Sequence, residues 1–279
     1  VGDRLIAVDG IQISGLTVEG VRDMLPKTES ATTTLTLLRN GNQIQVQTAS
    51  ETHLSRSLGA TNQIAYLSLR EYTTVSADRV RDDYTSLVSA GSGGSGGVIL
   101  DLRQNGGGSL SGAWNLTDFL GPSSVDNQIM FSLQQQSQGF DYRFGVYGSN
   151  LGIIDQSKFV ILIDGSSASA SELTSAALKD LGIATLMGGQ SYGKGVGQNV
   201  VGLLDGSGAY ITSFELLSPL GNSWHNLGVS PDYPLSTALP ATPTDDTLLQ
   251  AAIDFIETGS VSQATTSRRT TKSPLLLSV

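Results

Sequence analysis

Apolar positions along this chain fall into short runs broken by glycines and polar clusters, and the spacing of each run predicts its element. Two runs are continuous through Val98-Ile99-Leu100-Asp101-Leu102 and Phe159-Val160-Ile161-Leu162-Ile163, and a third occupies residues 183–187. Each is short, apolar and closed by a turn signal, which predicts a buried strand. Residues 63–70 carry Ala65, Leu67 and Leu69 on one face and Ile64 and Tyr66 on the other, so this strand is also expected to be buried on both sides. Helical spacing comes between the runs. Residues 76–90 place Val80, Tyr84, Leu87 and Val88 on one face behind a Ser76 cap, and a helix is expected over residues 110–120. Leu173, Ala177, Leu178 and Leu181 share a face ahead of Gly182, and Leu248, Leu249, Ala252 and Ile256 do so ahead of Gly259. Strands interleaved with helices predict an α/β fold.

Strict alternation marks the remaining segments. Residues 4–8 read as a strand ending in an Asp9-Gly10 turn, and residues 17–25 as a short helix stopped by Pro26. Residues 33–39 and 42–48 alternate around Asn40-Gly41, a strong hairpin signal. Residues 1–50 thus form a first, β-rich unit, residues 51–62 a connector and residues 51–259 a larger core. Within the core, residues 91–97 are a Gly/Ser surface loop, residues 128–133 and 140–146 alternate around a polar glutamine loop, and residues 200–204 and 209–214 make a hairpin. Residues 260–279 are rich in Ser and Thr and read as a disordered tail with an apolar end.

Composition narrows the function. The chain has 279 residues, 39% hydrophobic and 15% charged, as a folded globular protein does. Sixteen basic against 25 acidic residues leave a net charge of −9, which argues against a nucleic-acid partner. No apolar run reaches the roughly 18 residues of a membrane span. With zero cysteines, disulfides, thiolate zinc sites and cysteine nucleophiles are excluded. The two histidines, His53 and His225, have no metal-type spacing, and neither sits in a triad motif; His225 reads as a loop residue beside Trp224. A serine that acts here needs another group to take its proton.

Three loops follow the three apolar runs, and in a sheet interleaved with helices such loops converge at one edge. Gln104-Asn105-Gly106-Gly107-Gly108 offers backbone N–H groups bare of side chains. Asp164-Gly165-Ser166-Ser167-Ala168-Ser169-Ala170-Ser171-Glu172 packs hydroxyls at a helix start, where Ser169 and Glu172 also fit a capping box. Tyr192-Gly193-Lys194-Gly195 sets one lysine among glycines; burial there would favour a neutral amine able to act as a base. Nucleophile, base and oxyanion donors are the parts of acyl transfer.

These motifs, in this order, resemble the carboxy-terminal processing (tail-specific) proteases of serine peptidase family S41. The resemblance rests on Asp101-Leu102-Arg103-Gln104-Asn105-Gly106-Gly107-Gly108, Ser167-Ala168-Ser169-Ala170-Ser171-Glu172 and Tyr192-Gly193-Lys194-Gly195. It implies a ClpP/crotonase-like α/β core and a serine endopeptidase that uses Ser169 as nucleophile, Lys194 as base and Gln198 to orient the lysine. It further implies an oxyanion hole from the N–H groups of Ala170 and Gly107, with Gly106 or Gly108 as alternatives, and no cofactor. The substrates implied are proteins or peptides with exposed, apolar C-termini, and the place of work is extracytoplasmic. Residues 1–50 resemble the later two-thirds of a PDZ domain, whose carboxylate-binding loop and second strand would precede Val1. A catalytically inactive binding module of the same superfamily and a crotonase-type acyl-CoA enzyme are the competing readings.

Overall fold

Period-two alternation builds the larger sheet. Strands β6 (Ile64–Leu69), β7 (Gly97–Asp101), β10 (Phe159–Ile163) and β11 (Thr185–Gly188) run parallel, with Leu67 opposite Leu100, Ile161 opposite Leu100 and Leu186 opposite Ile161. Two further strands, β5 (His53–Leu58) and β14 (Tyr233–Pro234), complete the order β14-β11-β10-β7-β6-β5. The alternation divides the side chains between two cores. Leu67, Leu100, Ile161 and Leu186 face helices α1 (Ser76–Ser89), α2 (Leu110–Leu120) and α3 (Ala170–Asp180). Tyr66, Ile99, Leu162 and Met187 face the last helix, α4 (Thr247–Thr258). Strands covered on both faces have to be apolar at every position, as these are.

This computed structural model describes residues 4–16, 21, 24, 32–39, 41–49, 53–59, 63–89, 96–121, 129–135, 140–145, 158–202, 207–237 and 245–261. The chain divides into two units, Val1–Leu54 and Ser55–Val279. In the first, β1 (Arg4–Val8), β2 (Ile11–Gln12), β3 (Thr32–Arg39) and β4 (Asn42–Ala49) form an antiparallel sheet in the order β2-β1-β3-β4. Val8 pairs with Ile11 across Asp9 and Gly10, whose φ values of 45° and 79° are those of a two-residue hairpin turn. Arg39 pairs with Asn42 in the second hairpin. Apart from residues 21 and 24, which are helical, the helix expected over residues 17–25 lies outside the described residues, as do most of the glycine-rich loop and the tail beyond residue 261.

A third sheet, in the order β12-β13-β8-β9, comprises β8 (Ile129–Gln135), β9 (Phe140–Gly145), β12 (Val196–Gly202) and β13 (Gly208–Leu217). Several boundaries differ from expectation. β12 starts at Val196, immediately after the lysine loop, because Gly195, Val196 and Gly197 take up pairing with β13. Ser76 does not cap its helix from outside; it is the first helical residue, and its hydroxyl accepts the Thr73 N–H at 2.7 Å. Asp246 caps α4 by accepting the Leu249 N–H at 3.0 Å. β5 falls in the expected connector, since His-Leu-Ser-Arg-Ser-Leu shows neither clean alternation nor an apolar run.

Candidate active site

The turn after β10 is built around Asp164. Its carboxylate accepts the backbone N–H groups of Ser166 (2.9 Å), Ser167 (3.1 Å) and Gln104 (3.1 Å), and also the Gln104 side-chain amide. Ser167 Oγ accepts the Asp164 N–H at 3.0 Å and donates to the Leu102 carbonyl at 2.8 Å. Ser171 Oγ donates to the Asn105 carbonyl at 2.9 Å, and the Ala168 N–H donates to the same oxygen at 3.0 Å. Two of the three motif serines therefore fasten this turn to the end of β7 and to the glycine loop.

Ser169 is different. It is the N-cap of α3, 9% exposed, with φ 56° and ψ −112°. That is the first central position of a type II′ turn, which glycine favours and a side chain strains by about 1–3 kcal/mol. Such strain at a strand-to-helix turn pushes the hydroxyl out at the start of the helix, as a nucleophile elbow does. The Glu172 N–H lies in the capping-box arrangement toward Ser169 Oγ without meeting hydrogen-bond geometry. The adjacent Ala170 N–H, at the positive end of α3, forms no hydrogen bond among the described residues.

The glycine loop lies directly against this turn. Gly107 has φ 99°, and a β-carbon there would sit 2.6 Å from the Ala168 carbonyl oxygen, 2.8 Å from Ser169 Cβ and 2.9 Å from the Ala170 nitrogen. Both conformation and space demand glycine. The Gly107 N–H donates to Asn105 Oδ1 at 2.9 Å, while Asn105 Nδ2 donates to the Leu69 carbonyl at 2.9 Å. In this state the Gly107 N–H is held by Asn105, and among the described residues the N–H groups of Gly106 and Gly108 form no hydrogen bond.

Lys194 is half-buried, and Glu172 brings it to Ser169. Glu172 is 1% exposed, and its carboxylate takes four donors. The Ser169 and Lys194 N–H groups each donate to Oε2 at 2.8 Å, so the two backbone nitrogens lie within twice that distance of each other. Ser191 Oγ and the Gly193 N–H each donate to Oε1 at 2.6 Å. Segment 224–229 clasps the other side of the lysine loop. The Asn226 N–H donates to the Gly193 carbonyl at 2.8 Å, and the Val229 N–H donates to Ser191 Oγ at 2.6 Å. A β-carbon on Gly195 would lie 2.8 Å from the His225 nitrogen, so glycines here allow backbone-to-backbone packing. Gln198 lies on β12, exposed, and no hydrogen bond joins it to Lys194 among the described residues.

Beneath the glycine loop is a charged lattice. Arg103 pairs with the fully buried Asp101 and with Asp246, each at 2.7 Å, and Tyr66 Oη donates to Asp101 at 2.7 Å. Burial alone would lower the Arg103 pKa, but hydrogen bonds and charges from Asp101 and Asp246 outweigh it and raise it. Burial, then the charge of Asp101 and the hydrogen bond to it, push the Tyr66 phenol up to about 12. This lattice ties the end of β7, and so the glycine loop, to the start of α4.

Residues 63–235 match the profile of peptidase family S41. The chain belongs to that family. It is 31% identical over 266 residues to the chloroplastic C-terminal processing peptidase of Tetradesmus obliquus, covering 88% of this chain and 54% of the relative. It is 30% identical over 247 residues to the carboxy-terminal-processing protease of Bartonella bacilliformis, covering 86% and 55% respectively. The chain therefore spans little more than half the length of these curated relatives. Among solved structures it is similar to a photosystem II D1 C-terminal processing protease, with TM-score 0.56 and 27% identity over 92% of this chain and 69% of the other. A putative S41 protease from Bacteroides fragilis has TM-score 0.63 at 19% identity, over 93% and 74%, and shares the fold. In this S41 chain, the linking role of Glu172 and the clasp from segment 224–229 escaped the sequence reading. A carboxylate amid small residues was the available signal for the first; the second depends on contacts between loops far apart in sequence.

Proposed function

We propose that this chain is a serine endopeptidase core in which Ser169 and Lys194 form the catalytic dyad. The observation that carries the reading is Ser169, held at a strained φ at the head of α3 and joined by its backbone to the Lys194 loop through one buried carboxylate. Lys194 Nζ takes the Ser169 Oγ proton as Oγ bonds to a peptide carbonyl carbon. The oxyanion formed accepts from the Ala170 N–H at the head of α3 and from the glycine loop, where Gly107 exchanges Asn105 for the oxyanion. Lys194 then returns the proton to the leaving amine as the C–N bond breaks, leaving an acyl-enzyme. Water, deprotonated by Lys194, releases the acid and restores Ser169. Base and oxyanion donor each contribute roughly 10²–10³-fold or more. Gln198 supports the lysine in this scheme once the two long side chains lean together.

The names of the relatives, C-terminal and carboxy-terminal processing proteases, support proteins with exposed apolar C-termini as substrates. The first unit, a four-stranded sheet with two tight hairpins, is assigned as the later part of a PDZ-like domain. No helix among the described residues is long and apolar enough to cross a membrane. An extracytoplasmic or organellar place of work agrees with the chloroplastic relative.

The test is cleavage of an unfolded protein ending in apolar residues, with Ser169→Ala and Lys194→Ala as controls and a serine-directed acylating probe read by mass spectrometry. The expected result is cleavage and a covalent adduct on Ser169, both lost in each variant. Cleavage that persists in Lys194→Ala overturns the dyad. A chain that binds the probe substrate without cleaving it or acylating is the binding module instead.

A further inference from the structure

Beside the lysine loop lies a cavity of about 370 Å³ whose lining includes Val196, Phe214, Gln134, Thr212, Glu215 and His225. Its size is at the small end of ligand pockets and admits a long side chain. Val196 follows Lys194 by two residues, and His225 packs against Gly195, so an occupant lies next to the proposed base. The walls are of two kinds. Val196 and Phe214 are apolar, and Val196 pairs directly with Glu215 across β12 and β13. Glu215 is half-buried; its Oε1 accepts from Ser223 Oγ, which in turn accepts the His225 N–H at 3.2 Å. That chain pins the carboxylate in place, and Oε2 has no hydrogen-bond partner among the described residues. His225 Nδ1 is also buried without a partner. Among the described residues, no lysine or arginine lines the cavity.

A fixed carboxylate with an unspent oxygen, on the same face of the sheet as its strand partner Val196, matches a long cationic side chain: apolar stem along Val196, charged head at Glu215. We infer that this cavity is a substrate subsite that selects a lysine or arginine side chain near the scissile bond, with Glu215 as its specificity determinant. The inference rests on the reading of Ser169 and Lys194 as a peptidase pair for the identity of the occupant, and on the cavity alone for its charge preference.

Binding is measured with the Ser169→Ala chain by fluorescence anisotropy, using short labelled apolar peptides in which one lysine, norleucine or glutamate is moved through successive positions. At one position lysine is expected to bind about tenfold more tightly than norleucine, as a hydrogen bond to a charged partner gives. The ratio falls toward one in Glu215→Gln, and Glu215→Lys turns the preference toward glutamate. Equal affinities for lysine and norleucine at every position, a ratio that survives Glu215→Gln, or no peptide binding at all overturns the subsite. The same peptides are then given to the unsubstituted chain. Cleavage without a charge preference sinks the subsite alone, whereas a charge preference in binding with no cleavage sinks the peptidase reading and leaves the subsite standing.

Discussion

Replacing Glu172 with glutamine changes one buried atom and tests what holds the proposed dyad together. The carboxylate accepts two donors on each oxygen: Ser169 N–H and Lys194 N–H on one, Ser191 Oγ and Gly193 N–H on the other. Glutamine keeps one oxygen and puts an NH₂ where the second stood. Whichever way the amide turns, it sets a donor against two donors. If the NH₂ faces Ser191, the hydroxyl can turn to accept, but Gly193 loses its partner. If it faces Ser169 and Lys194, both N–H groups are orphaned. Each buried donor without an acceptor costs about 1–3 kcal/mol. One orphan plus the weaker neutral acceptor gives about 3 kcal/mol, a drop in Tm of about 6–12 °C for a unit of this size. Both tryptophans, Trp114 and Trp224, lie in the unit Ser55–Val279, so urea unfolding followed by tryptophan fluorescence reports on that unit. The loss of kcat should exceed what the unfolded fraction explains, at least about 100-fold, because a misplacement of 1 Å between reacting groups costs that much. An unchanged urea midpoint together with an unchanged kcat would refute the argument.

Three further outcomes follow from the geometry. Gly107→Ala drives a β-carbon to within 2.6 Å of the Ala168 carbonyl at φ 99°, so it should destabilise by about 2–4 kcal/mol and lower kcat at least about 100-fold; a melting curve and turnover like those of the parent chain would show that the loop moves aside freely. Ser169→Gly and Ser169→Ala should both be inactive, but the glycine variant should be the more stable by about 1 kcal/mol, since it alone is relaxed at φ 56°; equal urea midpoints would mean that the turn carries no strain. The Tyr66 phenol, raised from 10.0 to about 12, contributes stability that is complete below pH 10 and is lost as pH rises through about 12. Tyr66→Phe should therefore reduce the alkaline loss of stability between those values, and an identical slope in both chains would remove Tyr66 from that account.

What the sequence could reveal was decided by how local each cause is. The buried strands were legible because a strand covered on both faces must be apolar throughout, and residues 159–163 satisfy that without reference to anything else. The hairpins were legible because Asp9-Gly10 and Asn40-Gly41 determine their own turns. Ser169, Gly107 and Lys194 could be singled out together only because each follows an apolar run, and parallel strands bring such loops to one edge. Glu172 shows where this kind of reasoning stops. Its spacing from Ser169 satisfies a capping box, and nothing more is needed to explain a glutamate there. Yet a solvated cap would satisfy one or two donors; this one is 1% exposed and satisfies four, two of them from a loop some 20 residues on. A buried charge is tolerated only when its hydrogen bonds are complete, so the lysine loop has to close over the carboxylate for the turn to be stable at all. Stability of the turn that carries the proposed nucleophile and placement of the proposed base are then one requirement met by one residue. The same holds for the glycines on either side of Lys194: in sequence they read as freedom, but in the fold they admit the backbone of segment 224–229 and leave the lysine little choice of position.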